Sequence, residues 1–317
     1  MGKSTKFSNR QLVLICSILF MFISVVLYIY SQTYMYIVLA VLSAVFSSLT
    51  AIFGKKGLSN INSHVATFLR TGLVLVYIWC FVFITGAYSQ IASLSSRNII
   101  YLILSGTATG GSWLFYYKAL SIGDVSRVTA IDKSSVLLTM LFGMIFLGEG
   151  VTALKLIGLT AIAMGTYLMI GKISFTQKGS EALFYALLSA VLAALTSIFA
   201  KIGINEIDAN LATAIRTGIV LIFAGVMLPV TGSIKKFDTV NRRDLLFLCL
   251  SALSTSLAWL CYFNALQLGE ASVVAPIDKL SVAITIGLSA LFLREKISRA
   301  MFIGVVILTL GTVMLVV

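Results

Sequence analysis

Charge is scarce in this chain, and so is proline. Charged residues fill 11% of its 317 positions, against about 25% in a soluble domain. Proline occurs twice, and no Ser/Gly-rich or charge-rich linker interrupts the chain, so no junction between soluble domains is marked. The single histidine, His64, cannot form a metal centre by itself; its place near a helix start assigns it to the membrane interface. Cys16, Cys80, Cys249 and Cys261 all fall in apolar runs, without a CxxC or Cys/His cluster. Neither a disulfide framework nor a zinc site is indicated. No nucleophile–base set, phosphate-cradling loop or metal-ligand spacing occurs, so neither an enzyme nor a cofactor is expected. Acidic residues number 11 against 23 Lys and Arg, a net charge of +12. No basic run is interleaved with aromatics, so the excess does not point to nucleic acid.

What the chain has is apolar length. Apolar residues make up 59% of it, and runs of about 20 recur from end to end, as in a polytopic helical membrane protein. The first run, 11–30, follows Lys3, Lys6 and Arg10. It is long, aromatic and lacks a small-x-small cleavage site, so an uncleaved span is expected rather than a leader. Five runs follow at 34–53, 63–86, 98–121, 125–147 and 152–171, and five more at 181–199, 209–231, 244–267, 271–293 and 299–317.

The two fives are a repeat. Residues 39–171 align with 185–317 at a constant offset of 146 without a gap. Ser43 to Leu75 matches Ser189 to Leu221 at 17 of 33 positions, and Trp113 to Thr139 matches Trp259 to Thr285 at 14 of 27. With an odd number of spans per copy, the second copy enters the membrane upside down. Loop charges agree. One side would carry Lys55, Lys56, Lys172, Lys178, Lys235, Lys236, Arg242, Arg243, Arg294, Lys296 and Arg299; the other carries Arg97, Lys155 and Lys201. By the positive-inside rule the first side, with the N-terminus, is cytoplasmic, and the C-terminus lies outside. The expected fold is an all-α polytopic membrane protein: two inverted five-helix repeats forming a ten-span bundle, at 34–172 and 180–317, plus one extra N-terminal span in 1–33. Inverted repeats characterise secondary transporters, whose substrate sites lie at the repeat interface.

The chemistry concentrates in a stretch that occurs twice, from Gly123 to Lys133 and from Gly269 to Lys279. Each copy places an Asp-Lys pair about eight residues into a span, at a cost of roughly 2.5–3.5 kcal/mol per ionisable group. Asp132, Ser135 and Thr139 recur as Asp278, Ser281 and Thr285, a polar stripe on one helix face. Lys133 and Lys279 are rotated about 100° from their aspartates, so they are expected off that face, either reaching a neighbouring helix or snorkelling. Arg70 and Arg216 are equivalent and enter from the same sides as Asp132 and Asp278, to a similar depth of roughly 10–12 Å. The expected pairs are Arg70 with Asp132 and Arg216 with Asp278, either as structural ion pairs or as groups that titrate during transport. Trp113 and Tyr116 recur as Trp259 and Tyr262, either as bundle core or as cavity wall. Lys118 and Asn264 are equivalent but chemically different. Glu149 and Glu295 close Phe-Leu-x-Glu segments, where interfacial placement is expected. Pro276, near its helix start, is either tolerated there or frees carbonyls beside Asp278.

The duplicated Ala-Ile-Asp-Lys-Ser-Ser-Val and Ala-Pro-Ile-Asp-Lys-Leu-Ser-Val segments, each followed by Phe-Leu-x-Glu, resemble the EamA-like branch of the drug/metabolite transporter superfamily. So do Ala-Leu-x-x-Gly-(Asp/Glu) before them and the Gly-Thr near the end of each half. The resemblance covers about 34–317. It implies a ten-helix bundle around a central cavity and export or exchange of small metabolites, such as amino acids. It also implies that the third and fourth helices of each half line that cavity, which carries over to Trp113, Tyr116, Asp132, Trp259, Tyr262 and Asp278. Two features depart from it: the extra first helix, and a C-terminus that the charges put outside where ten-helix relatives commonly keep it inside. The direction of transport stays open.

The reading is an alternating-access transporter of small polar metabolites in the cell (plasma or inner) membrane. Substrate would meet Trp113, Tyr116, Asp132, Ser135, Trp259, Tyr262, Asp278 and Ser281. Arg70, Lys133, Arg216 and Lys279 would serve charge pairing or coupling, and four cations against two aspartates favour an anionic or zwitterionic solute. The expected partners are that metabolite, a proton as candidate coupling ion, and the bilayer; a homodimer is left open, and nucleic acid and metal are not expected. The alternatives are a flippase for a phosphorylated lipid and a non-transporting scaffold or receptor.

Overall fold

In the computed structural model the described residues are 34–57, 62–122, 134–170, 179–234, 241–292 and 299–315, with Val128 and Ile131. They form eleven α-helices and no strand. Half one holds α1 (Met35–Gly57), α2 (Ser63–Thr85), α3 (Ser96–Ile122), α4 (Ser135–Phe146) and α5 (Ala153–Ile170). Half two holds α6 (Gly179–Gly203), α7 (Ala209–Val230), α8 (Arg242–Leu268), α9 (Ala271–Asp278), α10 (Leu280–Phe292) and α11 (Arg299–Val313). Seven helical stretches, one of them running through α9 and α10, are long and apolar enough to cross a membrane. The extra span expected before residue 34, together with Asp132, Lys133 and Glu295, lies outside the described residues.

The repeat carries its helix caps with it. Asn62 accepts from the His64 N–H at 3.1 Å, and Asp208, 146 positions on, accepts from the Asn210 N–H at 2.8 Å. Ser95 Oγ accepts from the Asn98 N–H at 3.1 Å, and its equivalent Asn241 from the Asp244 N–H at 2.8 Å. Each cap satisfies first-turn donors that otherwise have no partner.

Packing pairs equivalent elements crosswise: α3 lies along α6, and α1 along α8. The same hydroxyl motif fastens both. Ser105 donates to the Thr196 carbonyl at 2.8 Å, and Ser251 donates to the Thr50 carbonyl at 3.1 Å. Thr109 bonds the Thr196 hydroxyl, and Thr255 the Thr50 hydroxyl, both at 3.2 Å. Such interhelical bonds, with small residues between helices, are the glue available where lipid removes most of the hydrophobic drive.

Two further pairs join equivalent helices, α2 with α7 and α5 with α11. Both run antiparallel. Phe68 meets Gly225 while Gly72 meets Leu221; Gly158 meets Gly311 and Leu315 while Gly165 meets Gly304 and Leu308. The exterior is apolar, with Ile84 82%, Val230 71% and Ile145 69% exposed, as a lipid-facing surface requires.

Candidate functional site

A cavity of about 220 Å³ opens between the halves. Ser43 and Ser47 of α1, Thr109, Ser112 and Trp113 of α3, and Ser135 and Thr139 of α4 face it from half one. Half two contributes Thr196 and Ser197 of α6, Arg216 of α7, Trp259, Tyr262 and Phe263 of α8, then Asp278 and Lys279. Among the described residues the wall is mostly hydroxyls and aromatic rings, with three charged side chains.

Arg216 is held hard in this wall. It is 2% exposed. Its Nε donates to Ser105 Oγ at 3.2 Å and its Nη2 to Thr109 Oγ1 at 2.9 Å. Its guanidinium carbon lies 4.3 Å from the Phe263 ring centre and 5.4 Å from that of Trp259, within the range of cation–π attraction. Nη1 is buried and has no hydrogen-bond partner among the described residues.

The expected Arg216–Asp278 pair is not made. Asp278 Oδ1 accepts instead from Ser43 Oγ at 2.6 Å. The repeat explains why Ser43 is available. Its equivalent, Ser189, meets Ser112, hydroxyl to hydroxyl at 3.1 Å. The position equivalent to Ser112 is Ala258, so Ser43 has no hydroxyl there and turns to the carboxylate. Arg70 is half-buried and does not line the cavity; its expected partner Asp132 lies outside the described residues.

Lys279 lines the same cavity as Asp278, which the 100° rotation disallowed. α9 ends at Asp278 in a tightened turn, where the Lys279 N–H bonds the carbonyls of both Ala275 and Pro276, at 3.2 and 3.1 Å, and Lys279 itself keeps a right-handed helical backbone. Pro276 has no N–H to give to the Ser272 carbonyl, so α9 is one bond short in its first turns. Ser281 and Thr285 do not line the cavity, whereas Ser135 and Thr139 of half one do.

Trp113, Trp259 and Tyr262 line the cavity, and Tyr262 bonds the Ser197 hydroxyl at 2.8 Å. Tyr116 does not line it; it packs against Ala119, Val128 and Ala186. The Tyr262–Ser197 bond has no counterpart in half one, because position 51 is alanine. Lys118 and Asn264 also lie off the wall: Lys118 Nζ sits 6.0 Å from the Tyr185 ring centre, and Asn264 bonds Asn210 at 2.7 Å. The sequence reading missed Ser43, Ser47, Ser112, Thr109, Thr196 and Ser197. The available signal was small hydroxyl residues at helical spacing inside apolar spans.

Glu149 is a second correction. It is 8% exposed rather than interfacial. It crosses from half one to the start of α9, where its carboxylate accepts from the N–H groups of Ala271 and Ser272 at 2.6 and 2.8 Å. Those donors are the first of the helix that carries Asp278, and the α9 cap residue, Glu270, makes no side-chain cap bond. Glu270 pairs with Lys155, which also bonds the Gly150 carbonyl at 2.7 Å. Lys201 bonds the carbonyls of Leu266 and Gly269 at the end of α8, where a cation suits the helix C-terminus. Lys155 and Lys201, assigned to the cation-poor side, thus meet at one corner of the bundle.

The EamA-like transporter family matches residues 34–171 and again 180–317. This chain belongs to the EamA-like transporter family. It is 43% identical over 130 residues to an uncharacterized transporter from the cobO 3' region of a Sinorhizobium species, covering 41% of this chain and 92% of that protein. That relative is therefore about one repeat long. A Bacillus subtilis protein named uncharacterized transporter YxxF is 21% identical over 267 residues, covering 82% of this chain and 84% of its own. A solved crystal structure shares the fold at a TM-score of 0.72 and 15% identity, over 88% of this chain and 95% of that one. The chain is a multi-pass EamA-family membrane transporter built of two repeats.

The hydroxyl motif permits an internal comparison. Ser105 and Ser251 make the same interhelical bond, but Ser105 also accepts from Arg216. Ser251→Ala is expected to cost about 0.6 kcal/mol, the average for such membrane bonds. Ser105→Ala is expected to cost about 1.5–3 kcal/mol more, because a buried charged donor loses an acceptor. Thermal unfolding of the two variants in one detergent checks this; equal losses would remove Ser105 from the support of Arg216.

Proposed function

We propose that this EamA-family protein moves small polar metabolites such as amino acids across the plasma (inner) membrane by alternating access. Its working unit is two inverted five-helix halves, 34–172 and 180–317, making ten spans, with residues 1–33 adding one. The observation that carries the reading is the hydroxyl-lined cavity between the halves, holding a guanidinium and a carboxylate not paired with each other. A scaffold needs neither a polar cavity nor unpaired buried charge, which costs stability. The antiparallel pairing of α2 with α7 and of α5 with α11 supports inversion, and a relative one repeat long supports each half as a unit. Inverted halves can rock about a site at their interface. Asp132 and Asp278 are the proposed coupling groups, with a proton as the coupling ion.

The test is purified protein in liposomes, offered labelled amino acids and other polar metabolites under an imposed pH gradient. Uptake is expected to fall roughly tenfold or more in Asp278→Asn, the equivalent of about 1.4 kcal/mol. Undiminished uptake in both Asp132→Asn and Asp278→Asn would remove the aspartates from coupling. Transfer of a labelled phospholipid between leaflets, with no solute uptake, would replace this reading with a flippase.

A further inference from the structure

We infer that Arg216 is the docking point for a carboxylate, so that the solute taken into the cavity is a small carboxylic acid, an amino acid among them. The inference rests on the transporter reading and gives it a recognition group. A guanidinium is charged across the biological pH range, and a buried charge without a partner is expensive. Arg216 is 2% exposed, yet its acceptors are two neutral hydroxyls, Ser105 and Thr109. No carboxylate bonds it among the described residues, and Asp278 in the same cavity is engaged by Ser43.

The remaining donors of the guanidinium have a defined arrangement. Nη1 keeps both hydrogens, since it has no partner among the described residues, and Nη2 keeps one of its two after bonding Thr109. Together they form a two-pronged edge of the kind that matches the two oxygens of a carboxylate, with Nη1 itself buried. The ring of Phe263 at 4.3 Å and that of Trp259 at 5.4 Å fix the plane of the fork. Its orientation is therefore set before a ligand arrives, which lowers the entropy cost of binding. Among the described residues three charges line the cavity, two positive and one negative: Arg216, Lys279 and Asp278. A carboxylate balances the excess, and Asp278 stands ready for an ammonium if the acid carries one. Hydroxyls of Ser47, Ser112 and Ser135 on the wall supply further polar contacts. A primary amide has the same size as the acid but no anionic charge, so it leaves the guanidinium uncompensated.

The experiment uses the full-length, unsubstituted protein in liposomes and measures uptake of individual labelled L-amino acids. Each is competed with the unlabelled acid, its primary amide, and the 2-hydroxy acid of the same side chain. The amide is expected to compete roughly 10–100-fold less well than the acid, the range for losing a buried charge-assisted hydrogen bond. The hydroxy acid separates the sources of the carboxylate: its competition, strong or weak, reports whether the ammonium matters, while the amide arm decides the anchor. Arg216→Lys keeps the charge but loses the fork; folded protein, verified by its elution and thermal unfolding, is expected to bind the acid about tenfold more weakly. Uptake in which acid and amide compete equally would overturn the anchor and leave the transporter reading standing. Absence of uptake for every carboxylate-bearing probe would overturn both.

Discussion

Glu149→Ala is expected to destabilise the protein by roughly 2–6 kcal/mol, because two buried N–H groups lose their acceptor at about 1–3 kcal/mol each. The Ala271 and Ser272 donors have short bonds to the two carboxylate oxygens, at 2.6 and 2.8 Å, and no other cap replaces them. The position is buried, so water does not substitute freely. The carboxylate also sits at the positive end of a helix, where a negative charge is favoured. Gly143 makes the approach possible, since a Cβ there would stand 2.6 Å from the carboxylate oxygen Oε2. Glu149→Gln retains one acceptor and is expected to lose about half as much. Thermal unfolding in detergent reads both. Equal losses for Gln and Ala, or a loss below about 0.5 kcal/mol for Ala, would remove the cap from the stability of this fold. The consequence extends to function: the capped helix carries Asp278 and ends there, so loosening its start moves a charged group of the cavity wall.

Gly165→Leu is expected to match or exceed the roughly 1–3 kcal/mol typical of overpacking. A Cβ at Gly165 would lie 2.6 Å from the Leu308 nitrogen and 2.7 Å from the Gly304 carbonyl oxygen. Both are backbone atoms, so no side chain can swing away and α5 must part from α11. The repeat doubles the constraint: Gly158 and Gly304 are equivalent, as are Gly165 and Gly311, and a Cβ at Gly158 would meet the Gly311 carbonyl oxygen at 2.8 Å. Small residues are what let two membrane helices come this close. Gly287 of α10 provides the contrast, because a Cβ there meets nothing within 4 Å. Gly287→Ala is expected to be neutral or stabilising by roughly 0.5–1 kcal/mol, the helix penalty of glycine. Unfolding measurements on both variants check the pair. A tolerated Gly165→Leu would show that contact between these two helices is dispensable.

The spans were legible because a helix in lipid must satisfy its own backbone and present apolar side chains over about 20 residues. The caps at Asn62 and Asp208 repeat at the same offset, because capping is a local matter of residue type and position, but they were not among the sequence expectations. Charge partners behaved otherwise. Depth along a span brought Arg216 level with Asp278, but a bond also needs the right angle around the helix. That angle is set by how α7 rotates against α3, where Ser105 and Thr109 wait. Glu149 was misplaced for a similar reason. Its segment ends a span, which suggests an interface, and only the approach of α9 turns that end into a buried acceptor.

By itself the sequence determined the membrane class, the two-repeat plan and the family, because all three follow from periodicity and from identities at one fixed offset. It also marked Arg216, Asp278, Lys279 and the paired tryptophans as residues of interest. Tertiary structure alone decided which of them meet. Asp278 and Lys279 both line one cavity, although neighbours on a helix are turned about 100° from one another. The exchange of Ser112 for Ala258 between the halves gave Ser43 to Asp278 and left Arg216 with two hydroxyls and one nitrogen unmatched. These are differences between two copies that share about half their residues in the best-matching stretches. They become visible only when the halves are packed, since a partner is set by geometry across the bundle and not by spacing along the chain.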